Sequence, residues 1–253
     1  MSTKNLLVEL FVEELPPKAL NKLGEAFSTT LVESLKAQGL VAAAAKFEAF
    51  ASPRRLAVHV ADVAAVAADK PITLKLMPVN IALDANGEPT QALMKKLAGM
   101  GLDASIVPTL KRAPDGKAEA LFHDSVVKGV ALAEGLQKAL EQALTSLPIP
   151  KVMTYQLADG WSSVNFVRPA HKLVALHGAD IVSISVLGLQ AGRETLGHRF
   201  EAAVSPVVLE NADSYAHQLQ AQGAVIASFA TRRAEIVRQL QAAAANAGSG
   251  LQP

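Results

Sequence analysis

Cysteine is missing from all 253 residues. Its absence removes disulfides, thiolate nucleophiles and sulfur-ligated metal sites together. Charge is also sparse: 19% of residues are charged, and 24 basic side chains against 23 acidic ones leave a formal net charge of +1. A protein that coats polyanions through a global field is thereby excluded, so any nucleic-acid contact must come from local basic clusters. No apolar run approaches the roughly 20 residues needed to cross a bilayer. The N-terminus shows no basic region followed by an apolar stretch and a cleavage site. A soluble, cytoplasmic protein is expected.

Several catalytic signatures are missing as well. Gly116-Lys117 is followed by Ala118, so there is no Gly-rich phosphate loop ending in Gly-Lys-Ser/Thr. The six histidines show no i, i+4 spacing on which zinc could sit, and there is no His-Glu-x-x-His pair. Gly-x-Ser-x-Gly does not occur, which excludes the nucleophile elbow of an α/β-hydrolase. Glu13 and Glu14 suggest paired carboxylates, but no second acidic pair or metal-ligand spacing lies nearby. They read better as a charged first helical turn complementing the helix dipole. No catalytic residue and no metal ligand is expected on this chain.

What is present is core material, since half of the residues are apolar. The length allows one large domain or two ordinary ones. Residues 5–12 are branched and apolar, a buried strand carrying one acid, Glu9. Pro16 and Pro17 suit the first positions of a helix. Leu20, Leu23, Phe27, Leu31 and Leu35 then form one apolar stripe that Gly39 can close. Phe47 to Ala51 and Leu56, Val58 and Val60 read as a strand pair across the Ser52-Pro53 break, with a further strand over 72–77. Asn86-Gly87 and Pro114-Asp115-Gly116 are turn signals flanking a short helix around 92–97. Leu132, Leu136, Leu140 and Leu144 line a helix ended by Pro148 and Pro150, and strands follow over 162–166, 172–177 and 181–187.

Strands and helices mix without a regular βαβ alternation, so an α+β fold is expected, with a mixed or antiparallel sheet and packed helices. After Phe200 the register changes. Asn211 is a good N-cap for a helix ending near Gly223, and 232–245 reads as a second helix with Ile236 and Leu240 inward. Residues 1–200 thus read as one α+β domain and 201–253 as the start of a second, mainly helical unit. The Gly248-Ser249-Gly250 tail follows it without a closing element.

Five islands set a rigid or permissive backbone residue beside a charge: Glu13-Glu14-Leu15-Pro16-Pro17, Ser52-Pro53-Arg54-Arg55-Leu56, Leu147-Pro148-Ile149-Pro150-Lys151, Phe166-Val167-Arg168-Pro169 with His171, and Gly197-His198-Arg199-Phe200. Segments that only pack a core rarely do this. In order and wording the islands resemble the N-terminal part of the beta subunit of bacterial tetrameric glycyl-tRNA synthetase, from Leu6 to about Ile236. The resemblance implies a tRNA-binding and assembly part of an α2β2 enzyme. It also implies that the alpha subunit activates glycine with ATP and magnesium, and that this chain binds no cofactor. Consistent with this, the signatures of an adenylating synthetase core are not recognisable. Because the family's beta subunit is several times longer, an N-terminal fragment is implied. The alternative is a free-standing RNA-binding or tRNA-chaperone module.

Each island keeps a second reading. Arg54 shares the side of Leu56, Val58 and Val60 at the strand entrance, while Arg55 lies on the opposite face. One arginine can pair with Glu9, Glu13 or Glu14, and Arg55 can meet an RNA phosphate through its planar guanidinium. Lys151 follows a stiff, extended connector that can present its charge. Arg168 is expected near a sheet edge or corner, and His171 is a structural histidine or a contact. Gly197 permits close backbone approach, so His198 and Arg199 sit at a domain hinge or at an RNA or subunit contact.

Overall fold

The structure, a computed structural model, describes residues 2–116, 118–149 and 151–246. Lys117, Pro150 and the Gly248-Ser249-Gly250 tail lie outside the described residues. In chain order the elements are β1 (Thr3–Val12), α1 (Leu20–Ala37), β2 (Phe47–Ser52), β3 (Arg55–Ala64), β4 (Lys70–Pro78), α2 (Val79–Ala82), α3 (Gln91–Gly99), a 3-10 turn (Ala104–Thr109), β5 (Lys111–Asp115) and β6 (Ala118–Val127). Then come α4 (Leu132–Thr145), β7 (Met153–Gln156), β8 (Ser163–Phe166), β9 (Ala170–His177), β10 (Asp180–Ile181), β11 (Ser185–Val186), β12 (Leu189–Gly192), β13 (Glu194–Thr195), β14 (Val207–Val208), α5 (Tyr215–Ala221) and α6 (Phe229–Asn246). The class is α+β, as expected.

The chain forms two compact units, one built from the residues up to Ala67 and from Val130 onward, the other from Ala68–Gly129. The division expected after residue 200 is therefore not the one seen. Residues beyond 200 belong to the first unit because α5 packs on its central sheet and Arg232 of α6 bonds the Ala51 carbonyl at 2.9 Å.

That sheet runs β11-β12-β9-β1-β3-β2, with β10 also on β9. Its pairings are antiparallel except β12 with β9. β1 lies inside the sheet, Leu10 facing Leu56 of β3 and Leu173 of β9. Alternation sends Leu6, Val8 and Leu10 to one face, where they join Leu56, Val58 and Val60. The leucine stripes of α1 and α4 cover this face. Gly24 of α1 is required there, since a Cβ on it would stand 2.6 Å from the Ala51 Cβ.

The opposite face is also covered. Leu7, Phe50, Ala57, Val174 and Leu176 pack under Val207, Leu209, Ala212, Tyr215 and Leu219. Burial on both sides explains why β1 reads as a nearly continuous apolar run.

The smaller unit is an antiparallel sheet in the order β4-β6-β5. Leu93 and Leu97 of α3 pack with Leu76 and Leu121. The Asn86-Gly87 turn is held by the Asp84 carboxylate, which accepts from the backbone N–H of Asn86 at 2.8 Å and of Glu88 at 2.9 Å.

Several local expectations are corrected. Pro16 and Pro17 form a turn before α1 rather than its first residues. Asn211 supplies the expected capping contact one turn ahead of α5: its side chain accepts from the N–H of Asp213 and Ser214, while Ser214 at the helix boundary makes no side-chain cap bond. Ile236 and Leu240 are not inward but 52% and 54% exposed. The strand expected over 181–187 is two short pieces, β10 and β11, separated by residues 182–184, which have no regular structure.

Candidate functional site

Backbone hydrogen bonds gather three of the islands at one end of β1. The Val12 N–H donates to the Arg54 carbonyl at 2.8 Å, the Leu15 N–H to the Pro53 carbonyl at 2.6 Å, and the Glu13 N–H to the Pro169 carbonyl at 2.9 Å. Side chains then tighten the junction. Arg54 Nη2 reaches Glu13 Oε1 at 3.1 Å, and its guanidinium lies 4.7 Å from the Phe11 ring centroid. His171 Nε2 bonds the same carboxylate oxygen at 2.8 Å. Burial alone would raise the Glu13 pKa, but the His171 hydrogen bond and the Arg54 charge outweigh it and hold the group below its ordinary value. Arg168 Nε donates to the Glu14 carbonyl and its Nη1 to the Val167 carbonyl, both at 3.0 Å.

Arg55 does not face solvent. Alternation does set it opposite Leu56, but that face is covered by Tyr215, and Arg55 is only 2% exposed. Its Nε stands 3.2 Å from Oε2 of the fully buried Glu9. The two charges are in contact, although the angle leaves Nε without an aligned hydrogen bond. Its Nη1 donates to Ser52 Oγ at 3.3 Å and its Nη2 to the Leu196 carbonyl. Glu9 also accepts from the Thr195 and Tyr215 hydroxyls. Burial first, and the Glu9 charge second, push the Tyr215 pKa well above its ordinary value, so it is a neutral donor. A buried carboxylate is thus satisfied by one cation and two hydroxyls from distant segments.

The last island closes over this cluster. A Cβ on Gly197 would lie 2.4 Å from the Gly223 carbonyl oxygen, so only glycine allows the approach. The His198 N–H donates to that carbonyl at 2.7 Å. His198 Nδ1 accepts from the N–H of Phe200 at 3.3 Å and of Glu201 at 3.2 Å, which assigns its ring proton to Nε2. Arg199 is exposed, and Phe200 is 83% exposed.

Together these segments wall a cavity of about 410 Å³ whose charged and aromatic lining is Phe11, Arg54, Arg55, His198, Arg199, Phe200 and Arg232, with Glu14 as its acid. Arg232 donates to the Ile226 and Ala51 carbonyls, both at 2.9 Å. Among the described residues no carboxylate lies within ion-pair distance of it. Burial, and then the Arg55 charge, lower its pKa from the ordinary arginine value.

Of the expected site residues, the cavity therefore takes Arg54, Arg55, His198 and Arg199. Arg168 and His171 brace its neighbourhood. Lys151 is exposed and does not line it. Sequence reasoning missed Thr195, Tyr215, Arg232 and Phe11. The usable signal was Glu9, an acid in an apolar strand that must find partners. Chemically, the arrangement suits an anion or an aromatic ring.

The family described as "Glycyl-tRNA synthetase beta subunit" has a sequence model that matches residues 6–252. The chain is 70% identical over 252 residues to the glycine–tRNA ligase beta subunit of Dechloromonas aromatica (strain RCB), covering 98% of this chain and 35% of that protein. It is likewise 70% identical over 253 residues to that of Leptothrix cholodnii (strain ATCC 51168 / LMG 8142 / SP-6), covering 100% of this chain and 35% of the relative. To the beta subunit of Thiobacillus denitrificans (strain ATCC 25259 / T1) it is 66% identical over 248 residues, 98% of this chain and 35% of the relative. The chain spans about a third of the length of these curated relatives.

Proposed function

This chain belongs to the glycyl-tRNA synthetase beta subunit family, and from that premise we propose that it is a noncatalytic tRNA-binding and assembly part of a glycine–tRNA ligase. In this reading the enzyme joins glycine to its tRNA at the expense of ATP. Its partners are glycine tRNA and an alpha subunit that uses ATP and magnesium, in an α2β2 assembly. Cytoplasmic localisation accompanies that role, and among the described residues no helix is long and apolar enough to cross a membrane.

The observation that supports the reading is the convergence of separate islands on one arginine-lined cavity. The arginines divide the work. Arg54, Arg55 and Arg168 are committed to Glu13, Glu9 and backbone carbonyls, so they hold the junction together. His198 and Arg199 are exposed on the rim and are the groups available to a partner.

Two measurements on the purified chain test this. Glycine-dependent ATP–pyrophosphate exchange should be absent, and activity abolished by a point change within the chain would refute the noncatalytic role. Arg199→Ala should lower the slope of log tRNA affinity against log salt by roughly 0.7–0.9, one phosphate contact, without lowering the melting temperature. An unchanged slope would remove Arg199 from the contact. Copurification with the alpha subunit of the same host separates the ligase reading from a free-standing RNA-binding module.

A further inference from the structure

We infer that the cavity beside Phe200 receives one unpaired nucleotide of single-stranded RNA, with its phosphate among Arg199 and Arg232 and its base stacked on Phe200. This deepens the tRNA-binding reading and rests on it.

The charge balance of the cavity is the first reason. Arg54 and Arg55 each face a carboxylate, but among the described residues Arg232 meets two carbonyls and the face of the Phe229 ring, 5.4 Å from its centroid, and no carboxylate. A guanidinium has five N–H donors, so three of them are uncommitted there. Arg55 and Arg232 line the same cavity, so two like charges share one wall. A partly buried cation without a counter-charge is costly unless an anion completes it. The planar fork of arginine matches phosphate oxygens.

The second reason is the aromatic on the rim. The Phe200 backbone N–H bonds His198 Nδ1, and its ring stands edge-to-face to His198 at 6.2 Å between centroids. An 83% exposed phenyl ring offers a flat face to a base, and stacking on such platforms is sequence-tolerant. His198 carries its free N–H on Nε2, a donor beside that face.

Volume and the single acid select a nucleotide over a bare phosphate. A space of about 410 Å³ falls within the roughly 300–1,000 Å³ of small-ligand sites. Glu14 lines the same space and would repel a free anion. It would instead accept a hydrogen bond from an exocyclic amine or a ribose hydroxyl. A paired base could not enter, because bases in an A-form duplex stay stacked, whereas unpaired ones splay onto aromatic and arginine planes.

The test is fluorescence anisotropy of labelled single-stranded hexaadenylate RNA titrated with the 253-residue chain, with AMP and inorganic phosphate as competitors. Phe200→Ala should weaken hexaadenylate binding roughly 5- to 150-fold, the loss expected of one stacked base, while its thermal melt matches wild type. Phe200→Trp should retain binding, and AMP should compete at lower concentration than phosphate. Hexaadenylate affinity unchanged by Phe200→Ala, or phosphate competing as well as AMP, would overturn the assignment. Full-length glycine tRNA is measured beside it. If tRNA binds wild type while the hexaadenylate arm fails, the nucleotide site falls and the tRNA-binding reading stands. If tRNA itself does not bind, both fall.

Discussion

On one face of the central sheet, Leu6, Val8, Leu10, Leu56 and Val58 bury hydrocarbon against α1 and α4. On the other, Glu9, Arg55, Thr195 and Tyr215 are buried among a smaller apolar set. The first face is held by non-directional burial, where any well-shaped apolar side chain serves. The second depends on particular partners at particular distances, and removing one strands another. The difference places the polar cluster's role: it fastens β13 and α5 to the sheet directly beneath the cavity wall. The functional reading therefore turns on which arginines are fasteners and which are free.

The largest expected break is Arg55→Ala. It leaves the buried Glu9 carboxyl without its cation, a class of change that costs about 3–5 kcal/mol. Urea unfolding should show a correspondingly lower midpoint, and a wild-type midpoint would return Arg55 to the solvent side. Tyr215→Phe comes next. It removes one hydroxyl donor from Glu9 while keeping the edge-to-face contact with Phe50, and should cost about 1–3 kcal/mol in the same assay.

Arg54→Ala should cost less, about 1 kcal/mol or below, because its partner Glu13 is half exposed and the Phe11 contact is a modest one. A larger loss for Arg54 than for Arg55 would invert the comparison. The smallest effect is a pH dependence. The Glu13 pKa is lowered in the folded state, so its stabilising contribution is present above glutamate's ordinary pKa of about 4.3 and is lost as pH falls through the lowered value. Glu13→Gln should flatten the acid limb of the melting-temperature profile slightly. An acid limb identical to wild type would show that the junction does not depend on that charge.

Much of the apolar face was legible from residue order alone. The stripes of α1 and α4, the β2–β3 pair and the run of β1 follow from apolar spacing at periods near 3.6 and 2, and each sits where that spacing predicts. β5, with the sequence KRAPD, was not legible because an exposed, charged strand with a proline carries no period-two signal, and β7, with MTYQ, alternates over only four residues, too few to stand out. Alternation set Arg55 opposite Leu56 but could not show what covers that face. The covering residue, Tyr215, lies 206 positions from Glu9, and Thr195 lies 186 away. The islands flagged the cavity by their chemistry. Their convergence depends on long-range strand pairing, which residue spacing does not encode.

The most direct test of the polar face is a double-mutant cycle on Glu9 and Arg55, read by equilibrium urea unfolding. Glu9→Ala and Arg55→Ala each strand a buried partner, so the double variant should lose clearly less than the sum of the two, with a coupling of about 2 kcal/mol or more. Losses that add to within about 0.5 kcal/mol would contradict the account, because the two charges would then act as independent packing groups rather than as the pair that fastens α5 beneath the cavity.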